Sequence, residues 1–227
     1  MGSATVLALP FTGRWSVRNS PMRRVPSHGT EAFASRYAID FVGVDEHNQS
    51  ARARDWRSVL ATEPPERFLS HGRPVLAPID GMVMAVHDSE DDHQANRSVL
   101  ARASYALGRP SWGAQGAPAM IGNFVVIAYP DLSAHVLLAH LRRGSLSLKV
   151  GDQVSTGQQV AECGNSGSTL QPHVHVQAMD GPDPEHAQGL PMAFADFREW
   201  VHGLDPPHFV AAGLPGEDSV IEQLPWP

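Results

Sequence analysis

Short apolar runs, each broken by glycine, proline or aspartate, recur along this chain and confine it to a fold built mostly of strands. RYAIDFVGV (36–44) is apolar and β-branched and ends in a polar loop. RPVLAPIDGMVMAVHD (73–88) reads as two short strands joined at Asp80-Gly81, a dipeptide favoured in hairpin turns. NFVVIAYP (123–130) and HVLLAHL (135–141) flank residues 131–134, which predicts a second hairpin. SLKVGDQVSTGQQVAECGNSG (147–167) alternates valine with polar residues around Gly151-Asp152 and Thr156-Gly157, and HVHVQAM (173–179) closes the series. The 20 glycines and 19 prolines suit many tight turns. The expected fold is all-β, a mainly antiparallel β-sandwich or open barrel-like sheet, with small helical decorations in insertions and tail.

Two segments break the rhythm. Residues 45–72 are charged, and DWRSVLATEPPERFL within them predicts one or two helical turns stopped by Pro64-Pro65. Residues 88–120 pass from an acidic patch, Asp88 to Asp92, into a loop rich in Gly, Pro, Ser and Ala. Both read as insertions that wall a groove. The division expected is an N-terminal arm (1–24), a β domain (25–180) carrying the two insertions, and a C-terminal extension (181–227) with a short helix at 193–203. The start, MGSATVLALPFTGRW, lacks a basic region before its apolar run and is expected to be an arm or first strand rather than a signal peptide.

Bulk properties remove several function classes. The net charge is −7, and basic residues pair only at Arg23-Arg24 and Arg142-Arg143, so nucleic acid is not an expected partner. Cys163 is the single cysteine, which excludes an internal disulfide framework and a zinc site of cysteine pairs. No stretch reaches the roughly 20 continuous apolar residues of a membrane span. Composition does not set the oligomeric state.

The chemistry concentrates in histidines. In PHVHVQ (172–177), side chains two apart on a strand share a face with Cα atoms about 6.5–7 Å apart, so His173 and His175 enter one groove together. Two such imidazoles suit a metal, or a metal ligand beside an acid/base partner. His140 lies in the apolar run LLAHL, and Asp40 ends RYAID, where an unpaired carboxylate would be costly to bury. His28 lies upstream in PSHGTEAF. A catalytic zinc takes three protein ligands and leaves one position for water. No HExxH helix is present, so histidines would have to replace the glutamate base of many zinc proteases.

Four blocks in order, APIDGMVMAV (77–86), GNFVVIAY with LLAHL, LKVGDQVSTGQQVAECGNSGST and PHVHVQ, resemble the lysostaphin/LytM-type zinc endopeptidases that cut cell-wall peptides. The resemblance spans roughly residues 25–180. It implies a Zn2+ ion, His175 and Asp40 as ligands, and His140 and His173 as the catalytic histidines. The usual first ligand lies four residues before the aspartate, where this chain has Arg36. The sequence is similar instead to a variant with an upstream Ser-His-Gly element, which gives His28 the first-ligand place. The tyrosine often found just before the AHL block is replaced by Leu137 and Leu138.

The implied reaction is hydrolysis of a peptide bond, in peptidoglycan cross-link peptides, by a zinc-activated water with two catalytic histidines. The alternative is a catalytically inactive binding or regulatory module on the same fold, which Arg36 at the usual ligand position favours. A third reading, a lipoyl-like carrier hairpin at VGDQVSTGQQVAECG, would need a lysine at the turn itself, and Lys149 precedes it. Bland alternatives stand beside each residue. His28 could be an unpartnered loop histidine, His140 could bond a backbone carbonyl, and Asp40 could pair with Arg36 or Arg54. His47, His71, His87, His93, His135, His186, His202 and His208 have no partner spacing and are expected to face solvent, and Cys163 is expected to be a packed residue.

Overall fold

Val174, Val176 and Ala178 enter the main hydrophobic core, whereas Met179, one residue on, enters a second apolar cluster on the other face. This period of two sorts each strand's residues between a packed side and a functional side. The computed structural model describes residues 4–52, 55–107, 116–131, 133–201 and 206–224. Its first strands are β1 (Thr5–Leu7), β2 (Arg14–Arg18), β3 (Ile39–Gly43), β4 (Pro74–Leu76) and β5 (Gly81–His87). Then come β6 (Asn123–Ala128), β7 (His135–Leu141), β8 (Gln153–Val154), β9 (Gln159–Glu162) and β10 (Val174–Met179). The last are β11 (Gly189–Leu190), β12 (Met192–Trp200), β13 (His208–Gly213) and β14 (Val220–Gln223).

Among the described residues the protein is mostly β, as expected, with one twelve-stranded sheet and a two-stranded ribbon of β4 and β9. The large sheet runs β1-β12-β14-β2-β3-β10-β7-β6-β5-β8, with β11 beside β10 and β13 beside β12. It is not a closed barrel. Only β1 with β12 pairs parallel among these strands. The ribbon's Val75, Val160 and Ala161 share one core with Trp15, Ile39, Phe41, Leu138, Val176 and Phe194 of the large sheet. Phe11 stacks on Trp15 with centroids 4.5 Å apart, and Phe41 meets Phe194 edge-on at 5.4 Å. Each such buried side chain contributes about 1.5–3 kcal/mol relative to exposure.

β6 and β7 form the expected hairpin, although Leu132 in its turn lies outside the described residues. Residues 73–88 are not a hairpin. β4 pairs with β9, and β5 pairs with β6 and β8. The chain thus passes from the ribbon to the large sheet at Asp80-Gly81, where Gly81 packs so close to the Ala128 backbone that a Cβ would overlap it. The expected tail helix at 193–203 is also corrected: Met192–Trp200 is a strand, and residues 202–203 lie outside the described residues. Phe194 and Phe197 are both fully buried, a spacing of three that imitates a helix face. Asp196 between them adopts φ +55°, which interrupts the alternation.

The first insertion contains the expected helical turns, α1 (Trp56–Leu60) and a 3-10 turn at Pro65–Arg67. The second is not all loop; it contains α2 (Val99–Leu107) and α3 (Ala117–Ile121), while residues 108–115 lie outside the described set. The insertions lock together where Arg97 grips the fully buried Glu63 with two hydrogen bonds of 2.9 Å. No helix among the described residues is long and apolar enough to cross a membrane.

Candidate metal centre

Three neighbouring strands build the centre. Asp40 on β3 lies directly opposite His175 on β10 in the antiparallel register, and Ala139 on β7 lies opposite His175 on its other side. His140 follows Ala139 at a register shift between β6 and β7, with φ +60°. A non-glycine residue in that left-handed region inside a strand is strained, and such strain collects at functional sites. The irregularity frees His140 from the ladder. His173 precedes β10 and closes on His140, with ring centroids 4.5 Å apart. His140 also lies edge-on to His175 at 5.8 Å.

His28 arrives from a loop. Ser27 N–H donates to the Arg36 carbonyl at 3.0 Å, tying that loop to the end of the irregular 3-10 segment Ala32–Tyr37 just before β3. His28 Nε2 then lies 3.1 Å from Asp40 Oδ2, and its ring meets His175 at 5.0 Å. The donor atoms of His28, Asp40 and His175 all fall within 4.8 Å of one another; they are the one such group among the described residues. Arg36 points elsewhere, paired with Glu31 and lying over the Tyr37 ring. Asp40 therefore has no ion pair with Arg36, and Arg54 lies outside the described residues.

Hydrogen bonds on the far side of each ring decide which nitrogen faces the centre. Ser27 Oγ donates to the Ser35 carbonyl at 3.2 Å and so accepts from His28 Nδ1 at 3.0 Å, leaving the His28 Nε2 lone pair for the centre. His175 Nε2 donates to Gln177 Oε1 at 2.9 Å, leaving Nδ1, which lies 2.9 Å from Asp40 Oδ1. Gln177 is oriented in turn, its amide donating to the Phe33 carbonyl at 2.8 Å. Two nitrogen lone pairs and a carboxylate thus converge, an arrangement that repels itself without a cation and suits a divalent ion with these donors.

Electrostatics agree with that fit. Burial by itself would raise the Asp40 carboxyl, yet the imidazoles of His28, His173 and His175 around it hold it well below the usual carboxylate range. Burial pulls His28 down, but the neighbouring Asp40 carboxylate outweighs it and leaves His28 raised. The pocket draws positive charge to itself. His140 behaves oppositely: burial, then neighbouring His173 and His175, push it well below 6.5. Burial also lowers His173, against the pull of Asp40. His140 Nδ1 donates to the Ser166 carbonyl at 2.8 Å and His173 Nδ1 to the Gln171 carbonyl at 2.8 Å. Each keeps an Nε2 able to accept a proton, and that of His173 lies 3.6 Å from Asp40 Oδ1.

The GNSGST loop is the structural turn expected before the His-x-His strand. Gly122 makes it possible, since a Cβ there would sit 2.5 Å from the Ser166 backbone that carries the His140 anchor. Asp92 and His93 of the second insertion bond the same loop at Asn165 and Gly167. Expected solvent exposure fails for two of the remaining histidines. His135 is buried because it belongs to β7, and the His71 side chain is almost covered beside Asp92. His202 lies outside the described residues. Cys163 is fully buried, and burial pushes its thiol up, as fits a packed residue.

Four contributors escaped sequence reasoning: Asn19, Ser27, the Ser166 carbonyl and Gln177. Gln177 was within reach, two residues after His175 on the same strand face, and Ser27 adjoins His28. Asn19 is 21 residues from its partner Asp40 and has no local signal.

Comparison with known proteins gives a family match. The model for peptidase family M23 matches residues 67–187, more than half of the 227 residues. That span includes His140, His173 and His175 but neither His28 nor Asp40. No curated protein matches the chain. Among solved structures, the catalytic domain of the antimicrobial peptidase lysostaphin from Staphylococcus simulans is 21% identical, covering 67% of this chain and 74% of that one, with a TM-score of 0.38. A variant of the catalytic domain of the prophage-encoded M23 protein EnpA from Enterococcus faecalis is 18% identical, covering 84% of this chain and 91% of that one, with a TM-score of 0.40.

Proposed function

The chain belongs to peptidase family M23, and from that premise we propose that it is a zinc-dependent endopeptidase acting on peptidoglycan cross-link peptides. His28 Nε2, the Asp40 carboxylate and His175 Nδ1 would hold the zinc. The observation that carries this reading is the convergence of three donors within 4.8 Å, with both imidazoles locked in the tautomer that offers a lone pair inward.

A zinc ion bound there would supply Lewis acidity and would lower the pKa of a bound water to about 7. The protein supplies the rest. His140 and His173, kept neutral by burial and by backbone acceptors at Nδ1, present two Nε2 atoms as an acid/base pair. That pair takes the proton of the attacking water and returns one to the departing amine. The N–H of whichever ring is protonated also stabilises the developing oxyanion. Strain at His140 and the Ser166 anchor fix where the first of these atoms lies, so no reorganisation is needed as charge develops. An activity on cell-wall peptides is expected outside the cytoplasmic membrane.

The inactive-module alternative uses the same fold and predicts metal binding without turnover. Stoichiometric zinc in purified protein, lost in His28→Ala and His175→Ala, together with new amine ends released from cell-wall peptides, establishes the peptidase. Zinc-loaded protein that cleaves no such peptide turns the reading to the inactive module.

A further inference from the structure

Asp40 accepts one more hydrogen bond, from a residue that belongs to none of the ligand-bearing segments. Asn19 Nδ2 donates to Asp40 Oδ2 at 2.7 Å. Asn19 follows directly on β2, whose last residue, Arg18, is the register partner of Asp40 on β3. At the next position the backbone turns to φ +53°, a left-handed conformation that asparagine tolerates better than most side chains. The turn bends the amide back over β3 toward the carboxylate.

The C-terminal segment 215–218 holds this turn in place. Ser20 N–H donates to Glu217 Oε2 at 2.7 Å, Ser20 Oγ donates to the Pro215 carbonyl at 2.7 Å, and Arg18 pairs with Asp218. β14, just beyond, pairs with β2 at Ser16↔Val220. The two chain ends therefore meet behind the carboxylate and deliver one amide to it.

We propose that Asn19 is a positioning residue of the metal centre, orienting the Asp40 carboxylate for the ion through its amide, with the 215–218 segment holding it there. A carboxylate on a metal is commonly fixed by such a hydrogen bond, and losing one typically weakens metal affinity by about 10–100-fold. Asn19 has the geometry for that role and no other side-chain hydrogen bond among the described contacts.

This inference rests on the metal reading of His28, Asp40 and His175, and its test separates the two. The full chain is compared as wild type, Asn19→Gly, Asp40→Asn and the double variant, with zinc affinity measured by competition against a chromogenic chelator. Glycine accepts φ +53° without strain, so Asn19→Gly removes the amide and keeps the turn. Asn19→Gly is expected to bind zinc about 10–100-fold more weakly than wild type. In the Asp40→Asn background, where no carboxylate needs orienting, the same change is expected to alter affinity by less than about twofold. Co2+ in the site of Asn19→Gly is expected to show a shifted visible absorption spectrum, which a loss of fold stability alone would not produce. Wild-type zinc affinity in Asn19→Gly, or an equal loss in both backgrounds, overturns the inference. Wild type that takes up no zinc overturns the metal reading itself.

Discussion

Asp40 and His175 stand opposite each other on β3 and β10, and the carboxylate reaches Nδ1 across the ladder at 2.9 Å. The contact is made by register. A slip of β3 by one residue would turn Asp40 to the packed face and bring Ile39 or Phe41 opposite His175. The two central donors are thus as rigid as the sheet, whereas His28 is held by a loop and by two serine hydrogen bonds.

That division of labour separates metal binding from turnover. His140→Ala and His173→Ala leave His28, Asp40 and His175 in place and should retain stoichiometric zinc, while kcat falls by about 10²–10⁴-fold. Metal analysis beside steady-state cleavage checks this. Loss of zinc in either variant would make that histidine a ligand and not an acid/base group.

The pH response follows from opposite shifts in one pocket. His28 is raised above 6.5, so the metal-free protein keeps its proton to higher pH and zinc must displace it. The raised value stabilises the metal-free fold below 6.5, and that contribution fades as pH rises through the folded-state value. His140 and His173 are lowered; their contribution is present above 6.5 and fades as pH falls through their folded values. Zinc affinity should therefore drop on acidification while the acid/base pair stays neutral. Turnover should decline below about pH 6 and recover when zinc is added in excess. An acid limb indifferent to added zinc would assign it to His140 and His173.

Glu63 is fully buried with Arg97 bonded to both its oxygens, and Arg67 lies 3.7 Å away. Arg97→Ala strands a buried carboxylate between the two insertions. A loss of about 3 kcal/mol in unfolding free energy is expected, read from urea unfolding. A loss under about 0.5 kcal/mol would mean that Arg67 compensates fully.

Cys163 is expected to take no part in the chemistry. Its thiol is fully buried and pushed up by that burial. Iodoacetamide should leave the native protein unlabelled and fully active, and should label one site after unfolding. Rapid labelling of the native state with loss of activity would point to a role for the thiol.

Local pattern carried the sequence a long way. The alternation in residues 173–179 is read directly as a strand with His173 and His175 on a common face, and 36–44 as a second strand carrying Asp40, because side-chain direction within a strand depends only on parity. Parity fails where the backbone leaves the extended region. Asp196 at φ +55° made β12 resemble a helix, and the crossover at Gly81 made two separate strands resemble a hairpin.

What the amino-acid order determined by itself was a β-rich chain, the His173-x-His175 pair, and His140 and Asp40 embedded in apolar strands, since each is a matter of neighbours along the chain. The tertiary structure decided that His28 and not Arg36 meets Asp40, that Ser27 and Gln177 choose the ring tautomers, and that both chain ends bring Asn19 to the carboxylate. Those contacts gather around Asp40 and His175, which are 135 residues apart along the chain. Their geometry depends on how twelve strands order themselves in one sheet, and no local periodicity encodes that order.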